Sequence, residues 1–89
     1  MEILLSKEFR KSFSCLDKQI QKRADKQIII FKNNPFYPSL HTEKLIPKTK
    51  EVWSFRIDKK YRATFEFIDK NTILFLNIGP HDWIYKIKF

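Results

Sequence analysis

Cysteine, glycine and methionine each occur once in this chain, and acidic residues number only ten against eighteen lysines and arginines. A lone Cys15 has no partner for an internal disulfide, and the two histidines, His41 and His81, lack the ligand spacing of a zinc site. The expectation is a reducing compartment and chemistry that needs no metal or other cofactor. Long hydrophobic runs are missing as well. MEILLSKEF is too short an apolar stretch for a secretory signal, and nothing approaches the roughly 20 apolar residues of a membrane helix. No lipidation signal, long amphipathic basic helix, internal repeat or low-complexity run is visible, so the reading is a cytoplasmic protein with no membrane partner.

The shortage of acid leaves a formal charge of +8 and a pI near 9.8. A surface that positive implies a polyanionic partner, with nucleic acid favoured. What is abundant is aromatic: nine Phe, two Trp and three Tyr within a hydrophobic content of 43%, which favours a compact globule over a disordered chain. Eighty-nine residues suffice for one core and not for two, so residues 1–89 are expected to form a single domain.

Met1 to Leu5 is short, apolar and β-prone. Ser6 is placed to cap a helix KEFRKSFSCL whose Phe9, Phe13 and Leu16 recur at helical spacing. Asp17 could cap a second helix, KQIQKRADKQIIIFKN, with Ile20, Ala24, Ile28 and Phe31 as its apolar stripe and Lys18, Lys22 and Lys26 on a solvated face. Asn33, Asn34 and Pro35 stop it, because proline cannot continue the ladder and restricts the residue before it. Residues 35–50 read as a loop punctuated by Pro35, Pro38 and Pro47, with HTEKLI briefly extended. It carries His41, Glu43, Lys44, Lys48 and Lys50, in the kind of segment where binding groups often sit.

The stretch from Glu51 to Tyr85 holds three strand-like segments. Trp53, Phe55 and Ile57 alternate with Ser54 and Arg56, and Tyr61, Ala63, Phe65 and Phe67 alternate with Arg62, Thr64 and Glu66. Both apolar sets share one buried face only if Ile57 lies opposite Tyr61 around a turn at Asp58, Lys59 and Lys60. That register sets Arg56 across from Arg62 on the other face, with Cβ atoms roughly 5 Å apart. Two guanidinium groups so placed repel unless an anion visits, and their forked donors suit phosphate oxygens. The bland alternative is a solvated sheet surface. Thr72 to Ile78 is almost continuously apolar, as expected of a central strand, and ends at Gly79 and Pro80. Beyond them Trp83, Tyr85, Ile87 and Phe89 alternate, which fits a short final strand, with a helical turn as the alternative. The order β-α-α-β-β-β gives an α+β fold, two N-terminal helices packed on one face of a mostly antiparallel four-stranded sheet.

The W-S-x-R-I-x-x-x-Y-R hairpin from Trp53 to Arg62, the apolar strand after it and G-x-H-D-x-x-Y from Gly79 to Tyr85 resemble the RelE/ParE superfamily of type II toxin-antitoxin toxins. The resemblance implies a messenger-RNA endoribonuclease acting on the ribosome and neutralised by a cognate antitoxin; the ParE branch instead poisons DNA gyrase. Carried over residue by residue, it implies phosphate binding by Arg62, a basic residue of the preceding strand at Arg56, a functional histidine at His81, a C-terminal tyrosine at Tyr85 and a catalytic carboxylate at Glu43. Such cleavage needs a base for the ribose 2′-OH, an acid for the leaving oxygen and cations for the phosphorane charge. An imidazole, ordinarily titrating near about 6.5, suits proton transfer at neutral pH, so His81 is expected as the acid, with Glu43 or Tyr85 as base. Tyr85 could instead stack on a splayed base or pack in the core, and Asp82 could orient His81. Lys44, Lys48, Lys50, Lys59 and Lys60 are expected to bind RNA. A gyrase-directed toxin or a non-catalytic nucleic-acid-binding module is the competing reading.

Overall fold

A computed structural model describes residues 1–45 and 51–84. Strand β1 (Glu2–Leu5) leads into helices α1 (Lys7–Ser14) and α2 (Lys18–Asn33). A single 3-10 turn, Pro38–Leu40, precedes β2 (Glu43–Lys44), β3 (Val52–Arg56), β4 (Tyr61–Asp69), β5 (Thr72–Pro80) and α3 (His81–Ile84). The helices begin and end where local chemistry dictates. Ser6 Oγ accepts the Phe9 amide and Asp17 accepts the Gln19 amide, each satisfying one of the donors that an N-terminus leaves unpaired. Asn34, the residue before Pro35, is extended and closes α2.

The strands form one five-stranded sheet in the order β1-β5-β4-β3-β2, with β1 parallel to β5 and every other pair antiparallel. The α+β expectation therefore holds with one strand more than the four anticipated. The extra one is the two-residue β2, which adds Glu43 beside Ser54 at the sheet edge. Since β1 and β2 lie on opposite edges, the chain between them must cross the sheet, about 19 Å at standard strand spacing. The 16 residues of α2 span about 24 Å and do this on one face.

Under the helices lies the main core. Phe31 from α2 sits at its centre with ring centroids 4.7 Å from Phe55, 4.9 Å from Phe65 and 5.3 Å from Phe75. Phe9, Ala24, Ile57, Ala63, Ile73 and Ile78 complete it. Aromatic pairs in such tilted and edge-on arrangements contribute about 0.5–1.5 kcal/mol each beyond the area they bury. Half-buried Trp53 packs against the edge of this core and meets exposed Phe36 and Phe67, so Phe67 is not the buried residue its alternation suggests.

The hairpin register is the one that the apolar alternation requires. The Ile57 amide donates to the Tyr61 carbonyl, and Arg56 pairs directly with Arg62. The face carrying the arginines is not simply solvated, however. Val52, two residues before Ser54 on the same face, packs with Leu45, Ile84 and Leu76 into a second small cluster. A β-bulge makes this feasible: Thr64 pairs with Asn77 but Phe65 with Phe75, leaving Leu76 as the extra residue turned to that side. After Pro80 the chain turns into α3 instead of continuing as a strand, because the His81 amide is held by the Lys60 carbonyl at 2.6 Å. Tyr85, Ile87 and Phe89, assigned to that final strand, lie outside the described residues.

Candidate nucleic-acid interface

Period-two alternation places Arg56 and Arg62 on one sheet face at the turn end of the hairpin, and the chain entering β2 and the start of α3 close around them. The result is an open, polar cavity of about 500 Å³ lined by His41, Glu43, Arg56, Asp58, Lys59, Arg62 and His81. Four of the five residues expected to act chemically, Glu43, Arg56, Arg62 and His81, thus meet in one place. The fifth, Tyr85, lies outside the described residues, as do Lys48 and Lys50.

Arg62 is the fixed point. Its residue is only 7% exposed, in contrast to the solvated arginine its strand pattern suggests. Nε donates to Ser54 Oγ at 3.0 Å and Nη2 to the His41 carbonyl at 2.7 Å. Glu43 Oε1 lies 4.0 Å from Nη2, which leaves Nη1 as the guanidinium nitrogen with no partner among the described residues. Burial pushes the Arg62 guanidinium below its ordinary value, Glu43 opposes the shift, and the like charge of Arg56 adds to it. An anion entering the cavity offsets the burial and the Arg56 repulsion together.

Arg56 is held less tightly, its Nε 3.3 Å from the Asp58 carbonyl, while its own carbonyl accepts from Gln27 of α2 at 2.8 Å. Asp58 organises the turn between them. One carboxylate oxygen accepts the Lys60 and Tyr61 amides and the other takes Arg23 of α2 at 2.9 Å. Burial pushes this carboxyl up, yet the Lys60 amide, Arg23 and the Tyr61 amide outweigh it and hold it below the usual carboxylate value.

His81 enters from α3 with Nδ1 3.6 Å from Oδ1 of the exposed Asp82, beyond hydrogen-bond distance. Lys59 lines the cavity, and Lys60 lines an adjoining groove of about 410 Å³ with Lys59, Pro80, His81 and Asp82. Lys44 is not brought to the cavity. Strand alternation turns it away from Glu43, and its Nζ pairs with Glu51 at 3.1 Å. Lys18, Lys22 and Lys26 stay exposed on α2.

His41 is the residue that reasoning from pattern left without a role. Its backbone is left-handed, φ 44° and ψ 48°, which turns its carbonyl onto Arg62. A non-glycine residue in that conformation costs on the order of 1 kcal/mol, and such strain concentrates at functional sites. The available signal was a lone histidine three residues past a proline, too weak to single out. Among the described residues no three of His, Cys, Asp and Glu are grouped to hold a metal ion.

A sheet in this order, crossed on one face by two helices, is the fold of the RelE/YoeB type of toxin. The similar solved structures include YafQ from E. coli strain BL21(DE3), at TM-score 0.77 and 14% identity over 94% of this chain and 97% of that one. The YoeB/ParE toxin from Agrobacterium tumefaciens follows at 0.75 and 16%, covering 91% and 99%. A chain of the RelB-RelE antitoxin-toxin complex from Methanococcus jannaschii gives 0.71 and 24%, covering 92% and 94%. No family model and no curated protein matches the sequence. The likeness is therefore one of fold.

Proposed function

We propose that residues 1–89 act as one toxin domain of a type II toxin-antitoxin system, a metal-independent endoribonuclease that cuts messenger RNA on the ribosome in the cytoplasm. The observation that carries this reading is the shared cavity: two arginines, two histidines, a lysine and two carboxylates around a space large enough for a sugar-phosphate linkage. A module that only bound nucleic acid would need the arginines but not the imidazoles.

In the proposed reaction the ribose 2′-oxygen attacks the adjacent phosphorus and the bond from phosphorus to the 5′-oxygen breaks, leaving a 2′,3′-cyclic phosphate and a 5′-OH. Glu43 or His41 takes the 2′ proton. His81 donates the proton that the departing 5′-oxygen needs. Arg62, already anchored through two of its nitrogens, offers Nη1 to a non-bridging oxygen with little further ordering, and Arg56 offers the second cation. Preorganised donors of this kind contribute about 3–4 kcal/mol each when aimed at charge that develops in the transition state. Lys59 and Lys60 hold the flanking phosphates. The complex in Methanococcus jannaschii joins toxin to antitoxin, and a cognate antitoxin is proposed here on that likeness, with acidic segments suited to a chain of charge +8.

Expression in translating cells followed by mapping of RNA 5′ ends tests the proposal. Codon-phased cuts that vanish for His81→Ala are expected. Intact messages accompanied by double-strand DNA breaks would replace it with the gyrase reading.

A further inference from the structure

The only glycine of the chain, Gly79, sits in the last turn of β5 with no positive φ, so its backbone conformation does not require glycine. In a strand interior glycine costs roughly 0.5–1 kcal/mol relative to alanine. What the position requires is space. A Cβ built on Gly79 would collide with Trp83 Cε3 and lie 2.5 Å from Cζ3, so the indole of α3 rests directly against the glycine backbone. Gly79 is also the residue paired with Arg62 across the β4–β5 ladder, where facing Cβ atoms stand about 5 Å apart.

Helix α3 is a single turn of four residues, too short to hold its shape unaided. Contacts that hold it among the described residues include the His81 amide on Lys60, Ile84 buried in the second cluster, and Trp83 on Gly79. The first two pin its ends. The third sets its rotation, and so where the His81 ring points. Trp83 is 42% exposed, over a shallow groove with Cys15 and Leu16, so its burial adds less to stability than a core tryptophan would.

We propose that Gly79 and Trp83 form a seat that positions His81 against Arg62, making both of them positioning residues for the site. This inference rests on the nuclease reading above, and its test is arranged so that the two fail separately. Purified variants are assayed for cleavage of ribosome-bound messenger RNA, with urea midpoints confirming that each folds. Trp83→Ala and Gly79→Ala should each lower kcat about 10- to 100-fold with KM changed less than about twofold, as a displacement of about 1 Å at a reacting group does. Trp83→Phe, which keeps a flat ring on the glycine, should restore kcat to within about threefold of the parent. Gly79→Ala introduced into Trp83→Ala should add less than about twofold, because the clash partner is gone.

Full activity of Gly79→Ala, or two effects that multiply, overturns the seat. So does Trp83→Phe failing as badly as Trp83→Ala. If His81→Ala abolishes cleavage while the seat variants cleave normally, this inference alone falls. If cleavage is never seen, Trp83 emission in a Trp53→Phe background still decides it. Gly79→Ala should shift that emission to the red, and an unchanged spectrum refutes the seat without reference to activity.

Discussion

Replacing Ser54 with alanine isolates the contact that holds the cavity's central cation. Ser54 is fully buried, and its hydroxyl accepts the Nε–H of Arg62 at 3.0 Å. Deleting that oxygen leaves a charged donor with no water to replace the lost partner, a penalty of about 1–3 kcal/mol. At about 2 kcal/mol the urea midpoint should fall by roughly 1 M and the melting temperature by about 10 °C. The control is Arg62→Met, which keeps an unbranched apolar stem and removes the donor. In that background Ser54→Ala should cost under about 0.5 kcal/mol, giving a coupling energy of about 1.5 kcal/mol in a double-mutant cycle followed by urea denaturation. Equal losses in both backgrounds would mean that the hydroxyl matters for packing alone, and the anchoring argument would be refuted.

Arg62→Lys keeps the charge but cannot reach Ser54 and the His41 carbonyl as a planar fork, so single-turnover cleavage should slow by about 100-fold or more; a lysine variant at parental rate would contradict it. Neutralising Lys59 and Lys60 to glutamine should reduce the slope of log K for RNA against log salt by about 0.7 per lost phosphate contact on a single strand, and an unchanged slope would remove the hairpin tip from the RNA path. For Asp58, whose folded carboxyl titrates below its unfolded value, the stabilisation is complete above the unfolded pKa of about 3.9 and is lost as pH falls through the folded one. Urea midpoints of the parent and Asp58→Asn should therefore differ by a constant amount from pH 7 to about pH 5 and converge below about pH 4. A gap that persists to pH 2 would show that the turn does not depend on the carboxylate's charge.

Much of the frame was legible because it is written locally. Ser6, Asp17 and the Asn34-Pro35 stop act within a few residues, and the two-residue period of β3 and β4 forces Arg56 opposite Arg62 once Ile57 faces Tyr61. What escaped depends on residues distant in the chain. Arg62 is buried because Leu45, Val52, Leu76 and Ile84 gather on its face and the His41 segment folds over it. The brief extension of HTEKLI was legible, but not that Glu43–Lys44 would join the sheet as β2, which it does because β3 offers an open edge. His41 gained a place in the cavity through a left-handed backbone that no periodicity announces. Helix α3 replaces the start of the expected strand because the Lys60 carbonyl and the Gly79 surface capture the chain just after Pro80.

The nucleophile is the heart of the account. An RNA identical to a cleaved message, but carrying a single 2′-deoxyribose immediately 5′ of the scissile phosphate, should bind the ribosome-engaged protein as before and remain uncut there. The all-ribose RNA should yield a 2′,3′-cyclic phosphate and a 5′-OH. Cleavage of the deoxy-substituted RNA at the same bond would contradict the mechanism, whatever else the cavity proves to bind.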